Sequence, residues 1–250
     1  MRVRPLLVIA TVAIAFAAGC GSSAAGSGSN GVESKSASQI VAAAVAATEH
    51  QSSFHFVETA GSSQSSVKIV GDVGSSGGEQ HITVAEGKQS GHITVVLAKG
   101  TAYFTGDVFG LEGFTGLTKA NATGIAGKWI AVPSTNASFS SIAASLAVKT
   151  AAGQLVKLTG TLTRGKVSTE LGHKAVSVKA AQKTTAGTLA LTMYVATTGD
   201  ALPIRVEGIT QATGSVARTI AATFTDWGEM VDASAPKSFE PIADVKALAG

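Results

Sequence analysis

Some residues in this 250-residue chain have types and spacings that could carry chemistry. Gly74-Ser75-Ser76-Gly77-Gly78 has the GxSxG spacing of a serine nucleophile. That elbow needs a strand before it and a helix after it, so that the hydroxyl stands exposed beside an oxyanion hole. Here apolar alternation flanks the motif on both sides, in "VKIVGDVG" and "HITV", so the spacing marks a hairpin turn. His81 and His92 fall on consecutive strand-like runs. A turn centred near residue 88 sets His81 opposite about Val95 and His92 opposite about Val84, too far apart to share a metal. Zinc also wants three or four ligands, and the other histidines supply no cluster. Asp226 and Glu229 flank Trp227, a ring of the kind that stacks on sugars. A strand end whose indole packs on the rim of the fold accounts for them better. Trp129 in "KWIAVP" also reads as packing, on the side opposite Ile130 and Val132. No catalytic set, metal site or cofactor motif emerges, and the chain is expected not to be an enzyme.

Cys20, the only cysteine, is a different case. Arg2 and Arg4 open the chain, and residues 6–18 are apolar apart from Thr11. That run is far shorter than the roughly 20 residues a membrane-spanning helix needs. Ala17, Ala18 and Gly19 then precede the thiol. A basic start, a short apolar core and small residues make a secretory signal. The pattern resembles a bacterial lipobox, in which the thiol is acylated and the chain is cut just before it, although Ala17 stands where leucine is commonest. Residues 1–19 are thus expected as a lipoprotein signal peptide and Cys20 as the lipidated first residue. Residues 20–35 read as a flexible Ser/Gly tether, and 36–250 as one domain. The GxGxxG at Gly26, Gly28 and Gly31 follows no strand and reads as linker. The expected location is the extracytoplasmic face of the cell membrane, held by the N-terminal lipid anchor.

The formal charge of +3 includes Arg2 and Arg4, so the processed chain is near neutral. No basic run tracks phosphates and no aromatic platform accompanies one, which argues against nucleic acid as a partner. The chain is too apolar and too well patterned for disorder.

Among the elements that must position these residues, a helix comes first. Ser36 and Gln39 fit a capping box ahead of it, with Ile40, Val41, Ala44 and Val45 on one side. From Phe54 the period changes to two. Phe54 and Phe56, then Val67, Ile69 and Val73, then Ile82 and Val84, then Ile93, Val95 and Leu97 alternate with mainly polar neighbours. Gly- and Ser-rich turns separate the runs, as expected for antiparallel hairpins with one apolar face. "TAYFTG" and "KWIAVP" read as strands, and "LEGFTGLTKANATGIAG" between them as an irregular crossing with a helical turn. "FSSIAASLAV" reads as a helix behind Asn136 or Ser138. "QLVKLTGTL", "KAVSVKA", "TLALTMYVA", "LPIRVEGIT" and "VARTIAATFTDW" read as further strands, followed by a tail. Ten strands make a sheet about 50 Å wide, whereas a helix covers only about 10 Å. Two or three helices cannot cover such a face when flat. The sheet must curl or leave an apolar groove.

With "SSFHF", "VKIVGDVG", "GTAYFTG", "GKWIAVP", "LPIRVEG" and "FTDWGEMVDASAP" in this order behind a lipobox, the chain resembles the mycobacterial LppX/LprG-type lipoproteins, among the LolA-like carriers. The resemblance implies an α+β fold: a curved antiparallel sheet, a half-open β-barrel, with a few helices covering its concave face. It implies an acylated lipid or lipoprotein ligand, held by inward side chains such as Phe56, Ile69, Val84, Val95 and Leu97. Ile82 and Ile93 join these by alternation. The other reading is an envelope interaction or sensor module of the same fold with a filled core.

Overall fold

The computed structural model describes residues 28–155, 158–184, 187–211 and 216–242. The expected signal peptide and Cys20 lie outside the described residues. A 3-10 turn at Val32–Ser34 leads into α1 (Ala37–Glu49). There follow β1 (Ser53–Gly61), β2 (Ser65–Gly74), β3 (Gly77–Glu86), β4 (Gln89–Ala98) and β5 (Thr101–Gly106). The middle holds α2 (Val108–Thr115), α3 (Lys119–Ile125), β6 (Ile130–Pro133), α4 (Phe139–Ser145) and α5 (Val148–Leu155). The second half is β7 (Thr161–Glu170), β8 (His173–Thr184), β9 (Gly187–Ala196), β10 (Pro203–Gln211), β11 (Arg218–Thr225) and β12 (Glu240–Pro241).

All these strands join one curved, unclosed sheet in the order β12-β6-β5-β4-β3-β2-β1-β11-β10-β9-β8-β7. Every pairing is antiparallel except that of β12 with β6. Residues directly opposite across a ladder share a face. One such row runs Phe224, Phe56, Gly71, Gln80, Val95, Phe104, Ile130 across seven strands. Gly71 has a steric reason: a Cβ there would lie 2.6 Å from the Phe56 ring. The next row runs Ala222, Glu58, Ile69, Ile82, Ile93, Gly106. On the opposite face Arg205 pairs with Glu170 and Glu207 at 2.9 and 2.7 Å, and over β4 to β6 a small apolar cluster of Val96, Ala98, Tyr103 and Ala131 is covered by Trp129 and Ala233.

The apolar face carries two core clusters. In the first, Ile40, Val41 and Ala44 of α1 and Val148 and Ala151 of α5 pack with Phe54, Phe56, Val176, Met193 and Phe224. In the second, Leu111 of α2, Ala122 and Ile125 of α3, and Leu146 pack with Ile82, Ile93, Phe104 and Ile130. The capping box at Ser36 and Gln39 is present in both directions.

Several elements differ from the sequence reading. The β3–β4 turn closes on Glu86 and Gln89, with Gly87 at φ +59°, so its centre lies half a residue earlier than expected. His81 therefore faces Thr94 and His92 faces Thr83. The alternation itself stands: Ile82, Val84, Ile93 and Val95 are buried, while His81 and His92 are exposed. The irregular crossing contains α2 and α3, whose N-termini are capped by the side chains of Asp107 and Thr118. "QLVKLTGTL" begins inside α5 rather than in a strand, and β7 starts only at Thr161. Val148 and Ala151 recur at helical spacing, but alanine makes that period faint. The tail adds β12, and Phe239 packs edge-on against Tyr103 at 5.2 Å. Residues 28–35, read as the end of the tether, are docked. Asn30 Nδ2 donates to the carbonyls of Ala196 and Gly199, each at 3.0 Å, and Val32 is buried.

Candidate functional site

A cavity of about 340 Å³ lies at the seam between the two core clusters. Its strand wall comes from β1 to β4: Phe56 and Glu58, Ile69, Gln80 and Ile82, and Val95. Ser141, Ile142 and Ser145 of α4, Ala151 of α5 and Phe114 of α2 line the helix side. The seam has a physical origin. The chain breaks between α4 and α5 at Leu146, which is fully buried, and each helix then serves a different cluster.

The lining is mainly apolar, with a few polar groups. Gln80, 5 % exposed, donates from Nε2 to the Ser145 carbonyl at 2.9 Å and so ties the sheet to α4. The Ser141 and Ser145 hydroxyls donate to the carbonyls of Ser138 and Ile142 at 2.9 and 2.8 Å, staying within their own turn. Glu58 has no hydrogen-bond or ionic partner among the described residues. Burial among apolar neighbours pushes its carboxyl above the ordinary carboxylate pKa, because low polarity disfavours the charged form.

Of the residues expected to meet ligand, Phe56, Ile69, Ile82 and Val95 line this cavity. Val84 and Ile93 pack inside the second cluster, and Leu97 packs against it. Glu58 and Gln80 were missed, although a period of two was already the signal. Glu58 continues the Phe54, Phe56 side, and Gln80 precedes Ile82 and Val84 on theirs.

The other candidates are used structurally. Ser75 and Ser76 form the turn between β2 and β3, with strands on both sides. His81 and His92 are diagonal neighbours on one face, closer than expected. Each contacts the threonine across the ladder at 3.2 Å. Trp227 packs 5.0 Å from Phe54 and 6.0 Å from Phe224, ring centre to ring centre. A second hollow, about 270 Å³, is lined by His55, Asp72, Glu79, Asp226, Glu229 and Asp232. Among the described residues, no group of three or more His, Cys, Asp or Glu is placed to hold a metal ion.

No family model matches the chain, and no curated protein matches it. Among solved structures, it is similar to the Mycobacterium tuberculosis lipoprotein LppX, a member of the group its sequence motifs resemble. That match covers 79 % of this chain and 99 % of LppX at 11 % identity, with a TM-score of 0.46. It is also similar to an uncharacterized conserved protein from Thermus thermophilus. There the match covers 82 % of this chain and 97 % of the other at 8 % identity, with a TM-score of 0.41.

Proposed function

We propose that this protein is a membrane-anchored lipoprotein, attached through acylated Cys20 at the extracytoplasmic face, that binds or carries a hydrophobic envelope molecule. The curved sheet acts as a half-open barrel with the helices across its concave side, and the ligand enters at the seam between the helix groups. The single observation that carries this reading is the cavity lined by Phe56, Ile69, Ile82, Val95 and Ile142 on the sheet's apolar face. Its volume of about 340 Å³ falls at the lower end of the range for ligand sites, about 300–1,000 Å³. It therefore suits one chain of an acylated lipid or lipoprotein better than several.

Binding needs no bond chemistry, and we assign no catalytic role. Each methylene taken from water contributes about 0.8 kcal/mol. Two or more acyl chains on Cys20 give stable anchoring where one gives only marginal attachment.

Mass spectrometry of the full chain extracted from its native membrane tests both parts. Intact mass should show a chain beginning at an acylated Cys20, and organic extraction should release a stoichiometric apolar molecule. An unacylated mature chain would overturn the anchor. A lipid-free extract, with no uptake of added lipid, would overturn the carrier and favour the filled interaction module.

A further inference from the structure

Hydrogen-bond acceptors outnumber donors among the polar groups that line the cavity. Glu58 stands in the row Ala222, Glu58, Ile69, Ile82, so its carboxylate interrupts an otherwise apolar stripe of the cavity wall. No described side chain donates to it. The Ser141 and Ser145 hydroxyl hydrogens are already turned to backbone carbonyls, and Gln80 has committed one amide hydrogen to Ser145. That leaves the carboxylate oxygens, the Gln80 carbonyl oxygen and the hydroxyl lone pairs, set against one remaining amide hydrogen. No Lys, Arg or His is among the described lining residues. Glu58 is half-buried, and with no protein donor its carboxylate oxygens are served only by solvent reaching the cavity, a poor substitute for a fixed donor when the group is charged. The missing donors can come from the ligand.

We propose that the cavity selects, among apolar molecules, those bearing a hydrogen-bond donor, an ammonium or hydroxyl group seated on the Glu58 carboxylate. This rests on the ligand-binding reading above and narrows it to a chemical class. A free carboxylate or phosphate head would set like charge beside Glu58 and is disfavoured at that position. Burial raises the Glu58 pKa. A cationic head would hold the same carboxyl ionised, so head and acid stabilise each other.

The test is a chain-matched series, dodecylamine, dodecanol and dodecanoate, competing with an environment-sensitive alkyl fluorophore on the delipidated full chain at neutral pH. Dodecylamine should bind about tenfold tighter than dodecanoate, as a charge-assisted hydrogen bond allows. Dodecanol should fall between them. In Glu58→Gln the amine and carboxylate should come within about twofold of each other. Dodecanoate binding the wild type as tightly as dodecylamine would overturn the inference while leaving the cavity a ligand site. A fluorophore that does not bind at all would overturn the ligand-binding reading and the inference with it.

Discussion

Glu58 occupies a position that leucine would fill without any loss of hydration. Its neighbours across the ladders are Ile69 and Ala222, and no described group compensates its charge. Desolvation raises its folded-state pKa above the ordinary value of about 4.5. Between the two pKa values the folded state binds more protons than the unfolded state, so stability falls as pH rises through that window. Glu58→Gln should remove this slope, and Glu58→Leu should stabilise the chain on the order of 1 kcal/mol at neutral pH. Urea unfolding of both variants across mildly acidic to neutral pH checks it. A wild-type slope that persists unchanged in Glu58→Gln would assign the titration to another group. The residue was legible in principle, because the alternation that places Phe54 and Phe56 inward places Glu58 with them. It was overlooked because a carboxylate on an apolar stripe looks like a break in the pattern.

At the scale of elements, α2 lies on β4 almost backbone to backbone. A Cβ on Gly91 would stand 2.1 Å from the Gly110 nitrogen, and one on Gly110 would stand 2.6 Å from the His92 carbonyl oxygen. Asp107 fixes the same corner, accepting from the amides of Gly110 at 2.7 Å and His92 at 2.8 Å. Gly91→Ala should therefore lift α2 and destabilise by about 1 to 3 kcal/mol, the usual range for overpacking. Gly124 in α3 is the contrast, exposed and with nothing near its missing Cβ. Gly124→Ala should stabilise by about 0.5 to 1 kcal/mol through helix propensity. Denaturant midpoints of the pair decide this, and equal effects would remove the close-approach explanation. These glycines also explain which elements were legible. Long alternating runs such as Ile82–Val84 and Ile93–Leu97 announce their strands. By contrast, α2, "VFGLEGFT", carries two glycines in eight residues and reads as no more than part of an irregular crossing with a helical turn until Gly91 is known to face it. Likewise α5 shows its helical period only through alanine and one valine. Small residues specify contact by permitting it, and their partners lie far off in sequence.

For the whole molecule, the width of the sheet decides the outcome. The apolar face spans far more strands than one layer of short helices can cover, and the helices divide into two groups, each over its own cluster. The mismatch was legible from strand count, but the seam's position depends on the break at Leu146, which a continuous helical reading of "FSSIAASLAV" hides. Paired substitutions can separate seam from core. Both Val95 and Ile93 belong to the second cluster, but Val95, opposite Gln80 and Phe104, also lines the cavity, whereas Ile93, two residues earlier on the same face and 1 % exposed, does not. Ile93→Trp must displace packed side chains and should cost about 1 to 3 kcal/mol or more. Val95→Trp can place its ring in the space of about 340 Å³. It should melt close to wild type while abolishing uptake of an alkyl fluorophore. Thermal melts and fluorophore titrations on both variants read this directly. If the two tryptophans destabilise equally, the seam is packed in solution and the filled-module reading gains. If Val95→Trp melts normally yet still takes up the fluorophore, the ligand lies elsewhere on the apolar face.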